Sequence, residues 1–502
     1  MTDESTGVLV VGGGLVGLST ALFLAWHDVP VTLVERHPGS SPHPRALGYT
    51  MRTAELYRSV GVQWPDVRAF RDGFRRARVT SMAGERLEEM PWESGNPPEA
   101  EYSPSGRIGL AQDKLEPLLR ARAEELGADI RFGTELVSFE QDETGVTGVI
   151  HDVAGGTERS IRANYLVAAD GHRSPIRERL GIARGGRGYL GTIRSALFGA
   201  RLEHLRDEYV QFVVEQPDLQ AFLVAYGDDR WVMMFVSEDE PTKPEWRQLI
   251  TGAIGVSDVD FELITTGRWE IRASIADRYS EGRIFLAGDA AHTLPPNRGG
   301  YGANTGIQDA HNLAWKLAAV LSGQAGEDLL DSYDAERRPV AWLCHQQLFA
   351  RNDQQLVDMG PLEDAEIIDD VALCFGYLYR SSAVLGAGPD LPPARRPDEW
   401  AGQPGTRAPH VWLDRDGDRV STIDLSARNW VLLTAGGNWP VEPIPGLALD
   451  QVSVEEAALV FGLKPGGGAL VRPDGYVAWR SCEAPTDPST AVTHALTGLL
   501  SR

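Results

Sequence analysis

Cysteine is scarce in this chain: Cys344, Cys374 and Cys482 are the three in 502 residues. Widely spaced and odd in number, they exclude a disulfide framework and a metal-ligand pattern, and they fit a reducing compartment. Lysine is scarcer for its length, confined to Lys114, Lys243, Lys316 and Lys464, while the other 44 basic residues are arginine. Positive charge as a whole is in deficit, 48 basic against 71 acidic residues, for a net charge of −23. A field of that sign repels phosphate backbones and anionic lipid, which argues against nucleic acid and membrane surfaces as partners. No apolar run reaches the roughly 18 residues of a membrane span, and the start MTDESTG is acidic and polar where a signal peptide is basic. The expectation is a soluble, cytoplasmic protein. No GxSxG elbow is present, which disfavours a serine hydrolase.

What is there is ordinary globular material, 42% hydrophobic and 24% charged, long enough for two to four domains. The first patterned unit is VLVVGGGLVGLSTALFLAWHDVPVTLVER. Val8 to Val11 read as a buried strand, Leu15, Leu18, Leu22 and Trp26 recur at helical spacing, and Val31 to Val34 read as a second strand. Gly12, Gly14 and Gly17 make GxGxxG between strand and helix, with Glu35 ending the next strand. In that context the first glycine permits the turn, the second lets backbone approach a pyrophosphate, and the third lets helix and strand close together. The helix N-terminus favours the phosphates, and Glu35 would accept ribose hydroxyls.

A second block, GRIFLAGDAAHTLPPNRGGYGANTGIQDAHNLAWKLAAVL, runs from a strand into Gly288 and Asp289, through a Pro/Gly loop, into a helix predicted to start near Asn304. Gly299, Gly300 and Gly302 keep that loop bare, so a flat ligand could lie on its backbone. The positive helix end at Ala303 and Asn304 would stabilise negative charge on such a ligand. His292 has no second histidine at ligand spacing and reads as a packed or hydrogen-bonded side chain; no metal site is expected. A third block, YLVAADGHRSPIRERLG, takes a buried strand into Asp170 and Gly171, then Ser174 and Arg177 at a helix start. The alternating stretches YVQFVV, QAFLVAY and RWVMMFV read as strands of a second sheet. Trp231 and Trp269 on such strands suit an aromatic-lined cavity, although core packing explains a tryptophan equally well. TIDL, WVLLT and ALVRPDGYVAW read as short strands of a small α/β unit, with a helix near Val454 to Phe461.

In this order, the three blocks resemble the GxGxxG, DG and GD motifs of the single-component (class A) FAD-dependent aromatic hydroxylases. HPRALGYTMRTAELYRSVG, AQDKLEPLLRARAEELGADIRFG, YRSSAVL, GTRAPHVWL and LVRPDGYVAWR extend the likeness over nearly the whole chain. They are most similar to the aromatic-polyketide hydroxylases that tailor anthracyclines and angucyclines. The resemblance implies an α/β fold: a Rossmann-type FAD-binding domain of three-layer ββα form, an interleaved β-sheet substrate domain and a C-terminal thioredoxin-like domain. The expected boundaries are 1–75, 106–180 and 270–385 for the first, 76–105 and 181–269 for the second, 386–405 for a linker and 406–502 for the third. Cys482 has no CxxC partner, so the last domain is expected to be structural and not a thiol redox module.

Residue by residue, the likeness implies that Gly12, Gly14 and Gly17 hold the FAD pyrophosphate, Glu35 the adenosine ribose, and that Arg36 lies near the adenosine. Arg45 and Gln112 match positions contacting the pyrophosphate and ribityl region, Asp289 the ribityl hydroxyls, and Ala303 and Asn304 the flavin pyrimidine edge through backbone N–H. Asp170 matches the DG aspartate, linked to FAD and NADPH binding. The likeness also implies that Pro296, Gly300 and Asn304 would lie at the reactive flavin edge, with no side chain acting as a base. One departure stands out: both Asn297 and Arg298 separate Pro296 from Gly299, where the family commonly has one residue. The implied reaction is NADPH (or NADH) reduction of FAD, O2 capture and oxygen transfer from a flavin C(4a)-hydroperoxide to a small aromatic substrate, phenolic or polyketide in type, in natural-product biosynthesis. No second strand-linked GxGxxG provides a nicotinamide domain. Alternatives are a Baeyer–Villiger or epoxidising flavin monooxygenase and, less readily, a non-catalytic FAD-binding protein; an NAD-dependent dehydrogenase leaves the Asp289 block unexplained.

Overall fold

The computed structural model describes residues 4–43, 46–65, 76–90, 99–206, 211–296, 300–351, 360–415, 417–441, 443 and 446–501. Arg45, Asn297, Arg298 and Gly299 lie outside them, so the expectations placed on those residues have no structural account here.

The run Val8, Leu9 and Val10 is fully buried, as a strand covered on both faces must be. It sits at the centre of a sheet ordered Ser280–Glu281, Ile284–Leu286, Glu158–Ala168, Glu4–Val11, Val31–Glu35 and Asp129–Phe132. From Ile284–Leu286 to Asp129–Phe132 every neighbouring pair is parallel. In that register Val11 stands opposite both Val34 and Ala168, and Ala168 opposite Leu286. The residues that follow are Gly12, Glu35, Asp170 and Asp289, so parallel pairing alone brings the three sequence blocks to one edge, where open α/β sheets bind their ligands. Helices Leu15–Trp26 and Tyr301–Leu321 pack side by side in one core cluster with these strands.

The second sheet has the order His292–Thr293, Glu262–Ala276, Arg184–Gly199, Arg230–Val236, Leu219–Ala225, Gln211–Gln216, Arg76–Val79 and Arg86–Met90. Its two longest strands, Arg184–Gly199 and Glu262–Ala276, pair antiparallel with register shifts between Gly185 and Gly188, Tyr189 and Gly191, and Leu197 and Phe198; such bulges bend and twist a sheet. Glu262–Ala276 is continuous across the expected domain boundary at residue 270, because its C-terminal half pairs with Arg184–Thr192 and with His292–Thr293.

The C-terminal part forms a sheet ordered Leu449–Ser453, Trp430–Thr434, Gly468–Val471 and Val477–Ser481 with helix Pro488–Leu499 beside it, the thioredoxin-like arrangement. TIDL corrects the sequence reading: Thr422–Ser426 is a 3-10 turn, since Ser421 caps it by accepting the Ile423 amide. Glu455–Phe461 is likewise 3-10, not α-helical. The stretch expected to be a linker is packed in place. Trp400 is buried and donates to the Gly376 carbonyl, and the Gly405 amide donates to Val477.

This docking is polar at its centre. Arg472 pairs with Glu336, and Asp474 accepts from Asn312, on the two long helices, where Lys316 also pairs with Glu336; all four charged side chains are at most 2% exposed. Burial alone would raise the Glu336 carboxyl; Arg472 and Lys316 beside it hold it below the ordinary range. Burial lowers Lys316 to about 8.

Candidate active site

The glycine turn shows three different demands. Gly12 has φ +110°, and a Cβ there would lie 2.2 Å from the Ala169 carbonyl oxygen. At Gly17 a Cβ would fall 1.8 Å from the Gly12 oxygen, so the helix can approach the strand only without one. At Gly14 the nearest atom to a Cβ is Glu116 Oε1 at 3.9 Å, and the open side faces the cavity. This is a cradle that a side chain would fill, and it fits a pyrophosphate on the helix N-terminus.

Glu35 lines the same cavity; its Oε2 accepts the Gly13 amide at 2.7 Å and its Oε1 the His37 amide at 2.8 Å. Both bonds fix the carboxylate beside the turn. Arg36 is exposed on the cavity rim. Gln112 also lines it, accepting the Ala46 amide at 3.3 Å and donating to Glu116 at 2.7 Å.

Asp170 Oδ2 accepts the Ile176 amide at 3.2 Å, while Oδ1 is buried without a hydrogen-bond partner among the described residues. Burial raises its carboxyl above the ordinary value, against the pull of Ser174 and the Ile176 amide. Asp170 lines the cavity, and its carboxylate keeps one buried oxygen uncommitted, which fits a polar ligand group bound beside this turn. Arg177, read as a cation beside the turn, is spent internally: it is 1% exposed and donates to the carbonyls of His172, Arg173 and Ala290. It thereby ties the Asp170 turn to the Asp289 turn.

Asp289 stands exposed to the cavity in the short turn Gly288–Ala290. The turn is held from behind by a group that sequence reading passed over. Buried Asp309 accepts from the Gly288 amide at 3.2 Å, His292 Nε2 at 2.7 Å and Arg337 Nε at 2.8 Å. Burial would raise Asp309; His292 and Arg337 bring it below the ordinary value. The helical pattern carried no signal for it, because Asp309 stands two residues after Ile307 and so off the face shared by Ile307, Ala310 and Ala314. His292 is fully buried on Asp309, a structural partner as its isolation in sequence suggested.

The long helix starts at Tyr301, earlier than predicted, because Gly300 at φ +61° serves as its N-cap residue. Pro296, Gly300, Gly302 and Ala303 line the cavity. Asn304 is buried behind that lining. Its amide donates to the Gly300 carbonyl at 3.2 Å, and its Oδ1 accepts from Thr50 N at 2.9 Å and Thr53 Oγ1 at 2.6 Å. It pins the helix start to the neighbouring helix Met51–Ser59, while Gly302 and Ala303 of the same first turn line the cavity.

From these motifs a cavity of 760 Å³ runs to the second sheet, where Leu47, Phe222, Val224, Met234, Trp269 and Ile271 form its wall. Trp231 is core instead, 2% exposed with its indole N–H on the Ala200 carbonyl. A volume of this size suits a multi-ring aromatic ligand beside a bound dinucleotide end.

Comparison with known proteins agrees with this geometry. Residues 5–347 match the model of an FAD binding domain, and residues 401–502 that of the aromatic-ring hydroxylase C-terminal domain. The chain is 41% identical to a 4-methyl-5-nitrocatechol 5-monooxygenase of Burkholderia sp., covering 100% of this chain and 98% of the relative. It is 39% identical to a tetracenomycin A2 monooxygenase-dioxygenase of Streptomyces glaucescens, with the same coverage. The crystal structure of aklavinone-11 hydroxylase in ternary complex with FAD and aklavinone superposes with a TM-score of 0.91 at 38% identity over 100% of both chains. The chain therefore belongs to the FAD-dependent aromatic-ring hydroxylases and is a flavoprotein monooxygenase.

Proposed function

We propose that the enzyme consumes NAD(P)H and O2 to hydroxylate a phenolic, polyketide-type polycyclic substrate. The observation that carries this reading is one continuous cavity joining the glycine turn and Asp289 at one end to the aromatic wall of the second sheet at the other. Relatives named for tetracenomycin and aklavinone support the substrate class.

FAD, when bound, supplies the hydride acceptance and oxygen activation that amino-acid side chains do not provide. The chain's own residues have the remaining tasks. The backbone at Gly12, Gly14 and Gly17 would hold the pyrophosphate, Glu35 the ribose, and Gln112 and Asp289 the ribityl chain, with Arg36 near the adenosine and Arg45 near the pyrophosphate. Asp170 would meet the cofactor on the opposite wall. The Ala303 amide, at the positive end of a 21-residue helix, would stabilise negative charge developing on the ligand beside it. Phe222, Met234 and Trp269 would orient the substrate ring and exclude water from it. In this reading the first sheet is the cofactor domain, the second the substrate domain, and the C-terminal unit a structural support; the acidic surface and free cysteines support a cytoplasmic setting.

The test is NADPH consumption by the FAD-loaded enzyme with and without hydroxylated anthraquinones, followed by product structure. A ring hydroxyl supports the reading; a lactone product would replace it with Baeyer–Villiger chemistry.

A further inference from the structure

Glu336 and Arg337 are consecutive on the helix Asp331–Ala350, and different parts of the molecule grip them. Glu336 pairs with Arg472 of the C-terminal unit. Arg337, fully buried, spreads its guanidinium over both sides of that joint. Nε donates to Asp309 Oδ1 at 2.8 Å, Nη2 to the Thr305 carbonyl at 3.1 Å and Nη1 to the Tyr379 hydroxyl at 2.7 Å. Thr305 and Asp309 lie on the long helix Tyr301–Leu321, and Asp309 also accepts the Gly288 amide beside Asp289.

Tyr379 is itself fixed by the C-terminal unit. Its ring stacks on Tyr476 with centroids 4.1 Å apart and planes 15° apart, and the Arg472 guanidinium carbon lies 5.7 Å from both centroids. Its amide donates to the Gly405 carbonyl at 2.7 Å, and the Gly405 amide donates to the Val477 carbonyl at 2.7 Å. Tyr379, Arg337 and Asp309 are at most 2% exposed, and none of them lines the cavity. Buried, directional contacts thus run from the C-terminal sheet to the turn that carries Asp289.

A guanidinium is planar, so a partner on one edge sets the aim of the other edges. In a close-packed interior such a network has few arrangements that satisfy every member, and losing one acceptor lets the others shift. A site ordered before its ligand arrives binds more tightly than one the ligand must order.

We propose that Tyr379 is a positioning residue of the FAD site. Its hydroxyl sets Arg337, Arg337 sets Asp309, and Asp309 sets the turn Gly288–Ala290, so the C-terminal unit preorganises a cofactor contact in a cavity that none of its described residues lines. The proposal rests on the reading of Asp289 as a contact to FAD.

The test reconstitutes FAD-stripped protein, taking Kd from flavin fluorescence and the visible flavin spectrum at saturation. Tyr379→Phe keeps the ring on Tyr476 and deletes the acceptor. Its Kd should rise about threefold or more, the size of one lost hydrogen bond, and its flavin bands should shift. Ser381→Ala is the control, because it removes a 2.6 Å bond to Glu336 at the same joint without touching Arg337. Its Kd should stay within about twofold of the parent's, with an unshifted spectrum. In an Asp309→Asn background, where the last link is already loosened, adding Tyr379→Phe should change Kd by less than about twofold. A Tyr379→Phe protein with the parent's Kd or the parent's spectrum overturns the proposal, as does equal impairment by Ser381→Ala or an undiminished effect in the Asp309→Asn background. Asp289→Ala tells the two failures apart. If it binds FAD normally, the reading of the turn fails and the proposal with it; if it weakens FAD binding while Tyr379→Phe does not, the proposal alone fails.

Discussion

A Cβ on Gly17 would lie 1.8 Å from the carbonyl oxygen of Gly12, so the third glycine of the turn is required by packing within the protein itself. Gly14, with 3.9 Å to its nearest neighbour, is not. Gly17→Ala should therefore lower the thermal stability of the apoprotein, whereas Gly14→Ala should leave it nearly unchanged and still fail to retain FAD. Thermal melts of FAD-stripped protein and flavin fluorescence titrations separate the two; a Gly14→Ala protein that binds FAD normally contradicts the assignment of the open side to the pyrophosphate.

Asp170 has a carboxyl that burial raises above its ordinary value. Its folded form binds a proton more readily than the unfolded chain, so the ionised group costs stability above that window and the cost fades as pH falls. Asp170→Asn should raise the melting temperature of the apoprotein at neutral pH, with the gain shrinking in acid, while weakening FAD binding. A variant less stable at neutral pH than the parent would show that the carboxylate is satisfied in the folded protein.

The buried group of Glu336, Lys316, Arg472 and Asp474 joins the C-terminal unit to the two long helices. Glu336→Gln leaves buried cations without their shared anion and should cost about 3–5 kcal/mol in urea unfolding. Adding Lys316→Met should recover part of that loss. Because Glu336 is held below its ordinary range, its contribution is complete at neutral pH and disappears only as pH falls through that depressed value. Undiminished stability of the single variant would refute the role of this contact.

Asn304 accepts from Thr50 and Thr53 and so anchors the start of the helix whose first turn, at Gly302 and Ala303, lines the cavity. Asn304→Ala leaves the Thr50 amide without its acceptor, with an expected cost of about 1–3 kcal/mol. FAD affinity should fall with it, although the side chain lies off the cavity. Equal FAD affinity in the variant would separate the anchor from the cofactor site.

Much of the site was legible because parallel strands deliver their C-terminal residues to one edge: Gly12, Glu35, Asp170 and Asp289 meet through register alone. The identity of the glycines carried the turn, since their backbone freedom and lack of Cβ are local properties. What stayed hidden depended on tertiary partners. The likeness gave Asn304 a backbone role and left its side chain without one, because the partners of that side chain, Thr50 and Thr53, lie about 250 residues away in sequence. Asp309 drew no notice because its partners His292 and Arg337 come from separate elements. The 15-residue strand Glu262–Ala276 belongs to the second sheet while Ile275 and Ala276 at its end join the core of the first, a relation that no local pattern encodes.

The central claim is that this cavity brings FAD, O2 and an aromatic ring together for oxygen transfer. The direct measurement is the mass of the product formed by the FAD-loaded enzyme from hydroxyanthraquinones with NADPH under isotopically heavy dioxygen. The account predicts a hydroxylated product carrying one heavy oxygen atom, with NADPH consumed faster when substrate is present. A fully flavin-loaded enzyme that gives no labelled product across a panel of phenolic polycycles, and whose NADPH consumption no substrate alters, would contradict it.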